Sequence, residues 1–293
     1  MEHYAGIDLH STNSYIGIID KDNKRIFKAK AKNNLPTILK RLEPFQEQLK
    51  GLVVESTYNW YWLVDGLMDK GYRVHLANPS AIKQYEGLKH SDDITDAFHL
   101  ANLLRLGILP EGYIYPKEER PVRDLLRKRL HLVQQRTAQI LSFQNLAARN
   151  LGKQMNVQTI SKINEEDLEN LFEEKHLILS GKACIATIHF LRTRINQLEK
   201  AIHKAAKLKK EYKLLKTVPG IWKILALTIM LETGPIERFE KVGNYASYCR
   251  CVQSNRFSNS KSKGKGNRKN GNKYLSWAYV EAANHALWNY DVC

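Results

Sequence analysis

The amino-acid sequence predicts an N-terminal α/β domain, a helical hairpin and a mainly helical C-terminal domain. Three short runs rich in β-forming residues open the chain, and turn-forming residues separate them. Helix-like and strand-like segments then alternate, which is the order expected of an α/β domain. Further along, apolar residues recur at helical spacing over 117–150 and 181–213. We place the domains at 1–110, 111–213 and 214–293.

The order of elements in the first domain predicts a ribonuclease-H-like sheet. The opening runs Tyr4–Leu9, Ser14–Ile19 and Arg25–Ala31 are joined by polar turns and predict an antiparallel meander. A helix, a strand, a second helix and a second strand follow, with the strands at Leu52–Glu55 and Arg73–Ala77. A doubly wound nucleotide-binding fold does not begin with two hairpins, so the ribonuclease-H-like order is the better match.

The two long helical stretches carry apolar residues at near-heptad spacing among arginines and lysines. This pattern predicts an antiparallel helical hairpin or coiled coil. Because charged residues surround narrow apolar seams, we expect the hairpin to protrude and to mediate self-association. An ordinary helical bundle is the alternative.

The charge balance points to a polyanionic partner. The chain of 293 residues contains 46 Lys and Arg against 30 Asp and Glu, a net charge of +16 at pH 7. Such an excess is typical of proteins that bind DNA or RNA. No apolar run approaches the roughly 20 residues of a membrane span, and no signal peptide precedes the first strand. We therefore expect a cytoplasmic, prokaryotic, nucleoid-associated protein with no membrane partner.

Four acidic residues lie where apolar elements end or where a helix begins. Asp8 and Glu55 each close an apolar strand, and Asp93 and Asp96 open a helix on one face, three residues apart. A carboxylate at the end of a buried strand is costly unless a cation meets it. Converging carboxylates suit hard divalent cations, so on a basic protein they predict phosphodiester chemistry with metal ions.

The helix-opening acids also have a structural interpretation. Asp is a preferred N-cap residue, so Asp93 and Asp96 have helix capping as an alternative role. If Asp92 caps the helix, Asp93 is left to act as a ligand, whereas a register shifted by one residue makes Asp92 the ligand. Asp8 and Glu55 are poorly explained as a turn cap or a solvated face, because apolar residues precede both.

A tight turn in the third domain suits phosphate binding. Val218-Pro219-Gly220-Ile221 resembles the turn of a helix-hairpin-helix, in which amides near Gly220 hold a DNA phosphate. Helical turns use Pro-Gly about as often for purely structural reasons, so both interpretations stay open.

A basic segment follows, which we expect to be a flexible phosphate-binding loop between helices. A serine hydroxyl attacks a phosphodiester when cations stabilise the developing charge, although most serines in such loops are solvated spacers. Composition alone does not select one of the four serines Ser254, Ser258, Ser260 and Ser262. The basic residues of the segment are Arg256, Lys261, Lys263, Lys265, Arg268, Lys269 and Lys273.

The motifs occur in a recognisable order. Gly6-Ile7-Asp8, Val53-Val54-Glu55-Ser56 and Asp93-x-x-Asp96-Ala97 come first, and the helical hairpin follows. Thr217-Val218-Pro219-Gly220-Ile221, Ser258-Asn259-Ser260-Lys261 and Lys269-Asn270-Gly271-Asn272-Lys273-Tyr274-Leu275 come last. Over nearly its whole length the chain resembles the DEDD transposases of the insertion sequence one-ten family, also called bridge-RNA-guided recombinases.

The resemblance implies a RuvC-like nuclease domain, a coiled-coil dimerisation region and a C-terminal transposase domain. It implies that Asp8, Glu55, Asp93 and Asp96 bind Mg²⁺, as two ions that Mn²⁺ can replace, and that Ser258 is the nucleophile. Donor and target DNA and a structured guide RNA of the bridge type are the implied partners, in a homodimer or homotetramer. The RNA would choose the sequence while the protein reads shape and backbone.

Two departures from the family pattern leave alternatives. Ser260 stands where the family often has glycine and is a rival nucleophile, as is Ser254. Relatives usually continue through further helices, so a truncated copy with an intact metal site and impaired strand exchange is one expectation. A serine recombinase is the first hypothesis, a RuvC-like junction nuclease using metal-activated water the second, and a non-catalytic nucleic-acid-binding remnant the third.

Overall fold

The computed structural model of the chain describes residues 2–82, 92–206, 210–252, 255–258, 261–265 and 270–289. These residues fall into two compact units. The first lies within Met1–Lys117 and Lys265–Asn270, and the second within Glu118–Gly264 and Gly271–Cys293.

A five-stranded mixed sheet forms the core of the first unit. Its strands are β1 (His3–Leu9), β2 (Asn13–Asp20), β3 (Arg25–Lys32), β4 (Leu49–Glu55) and β5 (Val74–Ala77). Their spatial order is β3-β2-β1-β4-β5, with β1 to β3 antiparallel and β4 and β5 parallel to β1. The predicted meander and the alternation that follows it are confirmed.

Helices cover both faces of this sheet. On one face, α1 (Leu35–Leu42) and α2 (Tyr61–Asp69) pack on the apolar side chains of alternate strand residues, and a 3₁₀ helix, Glu43–Gln48, follows α1. The first helix begins at Asn34, whose side-chain oxygen accepts a hydrogen bond from the Thr37 amide. The other face carries α3 (Asp93–Arg105).

Two glycines bring α3 close to the sheet. A Cβ on Gly6 would overlap the carbonyl oxygen of Ala97, and a Cβ on Gly17 would overlap the ring of Phe98. Only glycine allows this approach of helix to strand. The close packing holds the first turn of α3 near the carboxyl ends of β1 and β4.

Two long helices dominate the second unit. They are α4 (Arg120–Leu151) and α7 (Lys175–Ala206), joined through the short helices α5 (Val157–Ile160) and α6 (Leu168–Leu171). Arg129 pairs with Glu199 and Ser142 contacts Cys184, so the long helices run antiparallel and the predicted helical hairpin is confirmed.

The second long helix differs from its predicted bounds of 181–213. It begins earlier, because the Glu174 carboxylate accepts a hydrogen bond from the Leu177 amide and Gly181 lies inside the helix, against Leu168. It ends at Ala206, and a separate helix, α8 (Lys210–Leu215), follows.

The remainder of the second unit is mainly helical. Its helices are α9 (Lys223–Thr233), α10 (Val242–Tyr248) and α11 (Lys273–Asn289), with a 3₁₀ turn at Ile236–Arg238. They share one apolar core with α8 and with the first turns of α4. The basic segment, which we expected to be a flexible loop, instead contains a two-stranded sheet of β6 (Asn255–Ser258) and β7 (Lys261–Lys265).

Candidate active site

The sheet brings two of the predicted acids to one edge. Strands β1 and β4 are parallel neighbours in which Ile7 pairs with Val54, so the next residues, Asp8 and Glu55, lie side by side. Both project to the face that carries α3, because side chains alternate along a strand. Asp8 is buried and Glu55 is half-buried. The first turn of α3 supplies Asp93 and Asp96 to the same region.

The electrostatics of Glu55 show that several acids lie close together. Its pKa is raised to about 7, first because burial penalises the charged form, then because of a hydrogen bond with Asp8 and the charges of Asp8 and Asp96. Of the groups that act on Glu55, His10 works in the opposite direction. A divalent cation would relieve this repulsion.

His10 belongs to the cluster and was missed by the sequence analysis. Its Nε2 lies 2.9 Å from an Asp8 carboxylate oxygen and 3.4 Å from an Asp93 carboxylate oxygen. The pKa of His10 is raised, mainly by the hydrogen bond to Asp8, and the charges of Asp8, Asp93 and Glu55 add to the effect. The side-chain amides of Asn33 and Asn59 both donate to the His10 carbonyl and fix this turn. The only signal in the sequence was its position two residues after Asp8.

The donor set fits a divalent cation. Asp8, His10 and Asp93 each offer one ligand atom, and these atoms lie within 4.8 Å of one another. Carboxylate oxygens suit Mg²⁺ and Mn²⁺, and an imidazole nitrogen favours transition metals over Mg²⁺. Glu55 and Asp96 contribute further negative charge beside this set.

Asp92 is the helix cap rather than a member of the cluster. Its carboxylate accepts a hydrogen bond of 2.7 Å from the Thr95 amide, and hydrogen bonds from the side chain and backbone of Thr95 lower its pKa. Asp93 is thereby left to contact His10. In the structure, Asp93 lies at the cluster and Asp92 does not.

Part of the serine-bearing segment lies in the strands β6 and β7. Ser258 is the last residue of β6, and Arg256 lies in the same strand, while Lys261, Lys263 and Lys265 lie in β7. Lys261 and Lys273 are exposed. The residues of this prediction that lie outside the described ranges are Ser254, Ser260, Arg268 and Lys269.

A buried network holds the chain on both sides of that segment. The Asn272 amide donates to the Tyr248 carbonyl at 2.6 Å, and Arg250 donates to the Gly271 carbonyl at 2.9 Å. The Asn272 side chain donates to Glu232, and its oxygen accepts from the amides of the first turn of α11. Arg127 binds both carboxylate oxygens of Glu232, at 2.6 and 2.7 Å. The Gly-Asn-Lys-Tyr-Leu motif therefore has a structural role. Its Asn272 joins the network with Glu232 and Arg127 that we call the anchor.

Gly220 has a packing role in the structure. It is buried, has a φ of +79°, and a Cβ there would overlap the carbonyl oxygen of Ala282 in α11. Both features require glycine. The expected phosphate contact at this turn stays a prediction.

The family model of DEDD transposases matches residues 5–149, which identifies a DNA-transposing enzyme of the DEDD class. A second model, described as transposase IS116/IS110/IS902 family, matches residues 212–292. The chain belongs to the IS110 family of DEDD transposases, as the order of its motifs indicated. The family acts on DNA and implies dependence on a divalent metal.

No curated protein matches the chain. Over the residues that the structure describes, no helix has both the length and the apolar character needed to cross a membrane.

Proposed function

We propose that this transposase cleaves and exchanges DNA strands in a Mg²⁺-dependent reaction through a serine nucleophile. The observation that carries the proposal is the convergence of Asp8, Glu55, Asp93 and Asp96 at one sheet edge, where burial and the neighbouring acids raise the pKa of Glu55. We also propose that the sheet is ribonuclease-H-like and RuvC-like. The meander, the parallel pair and the acids at its carboxyl edge support that assignment.

In this proposal Asp8, His10 and Asp93 hold the divalent cation, and Glu55 and Asp96 lie beside it. The bound cation supplies Lewis-acid stabilisation of charge on the scissile phosphate. Because the pKa of Glu55 is about 7, its carboxyl group retains a proton in a large fraction of cation-free molecules at neutral pH. Cation binding therefore favours release of that proton, as well as the proton that the raised pKa of His10 retains, so affinity should increase with pH.

Ser258 is the proposed nucleophile. Its hydroxyl oxygen forms a bond to phosphorus and loses its proton to a general base, while the bond to the 3′ oxygen breaks and that oxygen takes up a proton. The product is a 5′-phosphoseryl link, which conserves the bond energy for rejoining. The basic residues on β6 and β7 are proposed to bind DNA phosphates around this step.

The remaining assignments extend the same proposal. The parts 1–110, 111–213 and 214–293 serve as nuclease, dimerisation and transposase regions, and a structured guide RNA selects the donor and target DNA. The net charge of +16 supports a nucleic-acid partner. Self-association through α4 and α7 predicts a dimer or tetramer in sedimentation, and a monomer both with and without RNA would contradict it.

The test is a cleavage assay with the full chain. The protein is incubated with Mg²⁺, end-labelled donor and target duplexes, and RNA transcribed from the flanks of the element, and the products are resolved on a denaturing gel. We expect a protein–DNA adduct from the wild type and from the matched control Ser260→Ala, and none from Ser258→Ala or Asp8→Ala.

Each other outcome has a defined meaning. An adduct lost only in Ser260→Ala moves the nucleophile to Ser260. Nicked DNA without an adduct, from the wild type and from Ser258→Ala, contradicts the serine step and favours a junction nuclease that uses water. Binding without any cleavage contradicts the enzymatic proposal and leaves a nucleic-acid-binding remnant.

A further inference from the structure

A row of lysines lies on the edge strand beside the acid cluster. Strand β3 is the outermost strand of the meander. Lys28, Lys30 and Lys32 occupy alternate positions in it, and all three are exposed. Alternate residues of a strand project to one face, so the three ammonium groups share a face.

That face is the one that carries the acids. Lys30 pairs with Tyr15 across β3 and β2, and Tyr15 pairs with Asp8 across β2 and β1. Residues directly opposite each other project to the same side of a sheet, so Asp8, Tyr15 and Lys30 form one row. Lys28 is level with Gly17, which faces α3.

Side-chain contacts run without interruption from the lysine row to the acids. The Lys30 ammonium lies 5.1 Å from the centre of the Tyr15 ring, and that ring lies edge-on to His10 at 5.5 Å between centres. His10 in turn contacts Asp8 at 2.9 Å. The pKa of Lys30 is raised, first by a hydrogen bond with Tyr15, and the charge of Asp93 contributes.

Charged edge strands also protect sheets from aggregation, which is the structural alternative. Two observations favour binding instead. Among the ion pairs found between described residues, none includes Lys28, Lys30 or Lys32, so no described carboxylate lies within 4.0 Å of these ammonium groups. Their common face is also the face at which a phosphate must approach the acid cluster. Alternate strand residues lie about 6.8 Å apart, which lets neighbouring lysines meet neighbouring phosphates of one strand.

We propose that Lys28, Lys30 and Lys32 form a phosphate-binding track for the DNA strand whose scissile phosphate enters the acid cluster. The proposal rests on the proposed cleavage function of that cluster. The track binds backbone and not bases, so it holds DNA of any sequence in register with the cluster.

The first test measures the salt dependence of binding. Affinity of the full chain for a short labelled single-stranded DNA is measured by fluorescence anisotropy at several salt concentrations, in EDTA so that cleavage plays no part. The triple variant Lys28→Gln, Lys30→Gln, Lys32→Gln is compared with a matched triple, Lys40→Gln, Arg41→Gln, Lys70→Gln. The matched triple removes the same charge from exposed positions at α1 and the end of α2.

We expect the slope of log affinity against log salt to become shallower by about 2 in the row variant, since each phosphate contact on a single strand contributes roughly 0.7. The matched triple should change the slope by much less. Equal slopes for the two triples overturn the track, even if the wild type cleaves DNA as proposed.

A second measurement needs no variant in the row. Lysines of the wild type are acetylated with and without DNA, and modification is read by mass spectrometry. Protection of Lys28, Lys30 and Lys32 by DNA, with Lys40 unprotected, supports the track. Modification of the row unchanged by DNA, or protection by RNA of the same sequence alone, overturns it. Because Asp8→Asn should retain the protection, loss of cleavage and loss of the track are distinguishable.

Discussion

Glu232 and Glu55, one in each unit, differ in the charges that surround them. Glu232 is 1% exposed, yet Arg127 binds both of its oxygens and Asn272 donates to it, so its charge is matched. Glu55 is less buried but lies among other acids, and its pKa rises to about 7. Burial alone therefore does not mark a functional carboxylate. The charges of neighbouring acids distinguish Glu55, and holding these acids together costs stability.

The comparison implies that removing Glu232 destabilises the protein more than any other change considered below. Glu232→Leu leaves Arg127 without its carboxylate and removes the 2.8 Å acceptor of the Asn272 side chain, whose other contact, to the Tyr248 hydroxyl, is 3.4 Å long. The change should cost about 3 kcal/mol. Urea unfolding measures the loss. Adding Arg127→Met should recover a large part of it, since an apolar pair replaces the ion pair; no recovery would mean that the anchor depends on Asn272 instead.

Two glycines test the comparison at the level of packing. Gly6→Ala forces α3 away from the sheet and Gly220→Ala forces α11 away from its turn, so each should cost about 2 kcal/mol. Only Gly6→Ala should also weaken Mn²⁺ binding, because α3, unlike α11, supplies acids to the cluster. Titration calorimetry measures the Mn²⁺ affinity. Equal affinity in both variants would show that cation binding does not depend on the position of α3.

His10 should contribute to cation affinity. His10→Ala removes one of the three donors and should weaken Mn²⁺ binding about tenfold. Electron paramagnetic resonance of bound Mn²⁺ provides a direct readout, because a coordinating imidazole nitrogen couples to the metal. His75→Ala, in which the ion pair with Glu111 is lost, serves as the control and should leave the affinity unchanged. An unchanged spectrum in His10→Ala would show that His10 contacts Asp8 but does not coordinate the metal.

The smallest expected effect concerns the first turn of α3. Asp92→Ala removes the cap and should cost about 1 kcal/mol in thermal unfolding, with cation affinity retained. Asp93→Ala should do the reverse, with lower affinity and little loss of stability. If Asp92→Ala instead abolishes cation binding, the two neighbours have exchanged roles.

The sequence predicted the sheet, the helical hairpin and the four acids, because periodicity and the position of an acid after an apolar run are local properties. It did not predict His10, since a histidine in a polar turn carries no pattern. It did not predict the lysine row either, because the row is defined by which strand lies at the sheet edge and which face each residue occupies.

The C-terminal region shows the converse limit. The Gly-Asn-Lys-Tyr-Leu motif was visible in the sequence, but its partners Glu232 and Arg127 are far away along the chain and were not. Gly220 had a structural and a phosphate-binding interpretation in the sequence. The sequence could not reveal its packing against the carbonyl group of Ala282, which supports the structural interpretation. The strands β6 and β7 were not predicted, because the glycines and lysines of this segment favoured a flexible loop.

The most direct test of the acid cluster as a cation site is the thermal midpoint of the wild type one pH unit below and one above the pKa of about 7 at Glu55, with and without Mg²⁺. A carboxyl whose pKa is raised on folding contributes stability that is present at low pH and is lost as pH rises through its folded pKa. The cation-free protein should therefore be less stable at the higher pH, and Mg²⁺ should raise the midpoint more there. Glu55→Gln should remove most of this difference. An equal effect of Mg²⁺ at both pH values, unchanged in Glu55→Gln and Asp8→Asn, would contradict a cation site at these acids.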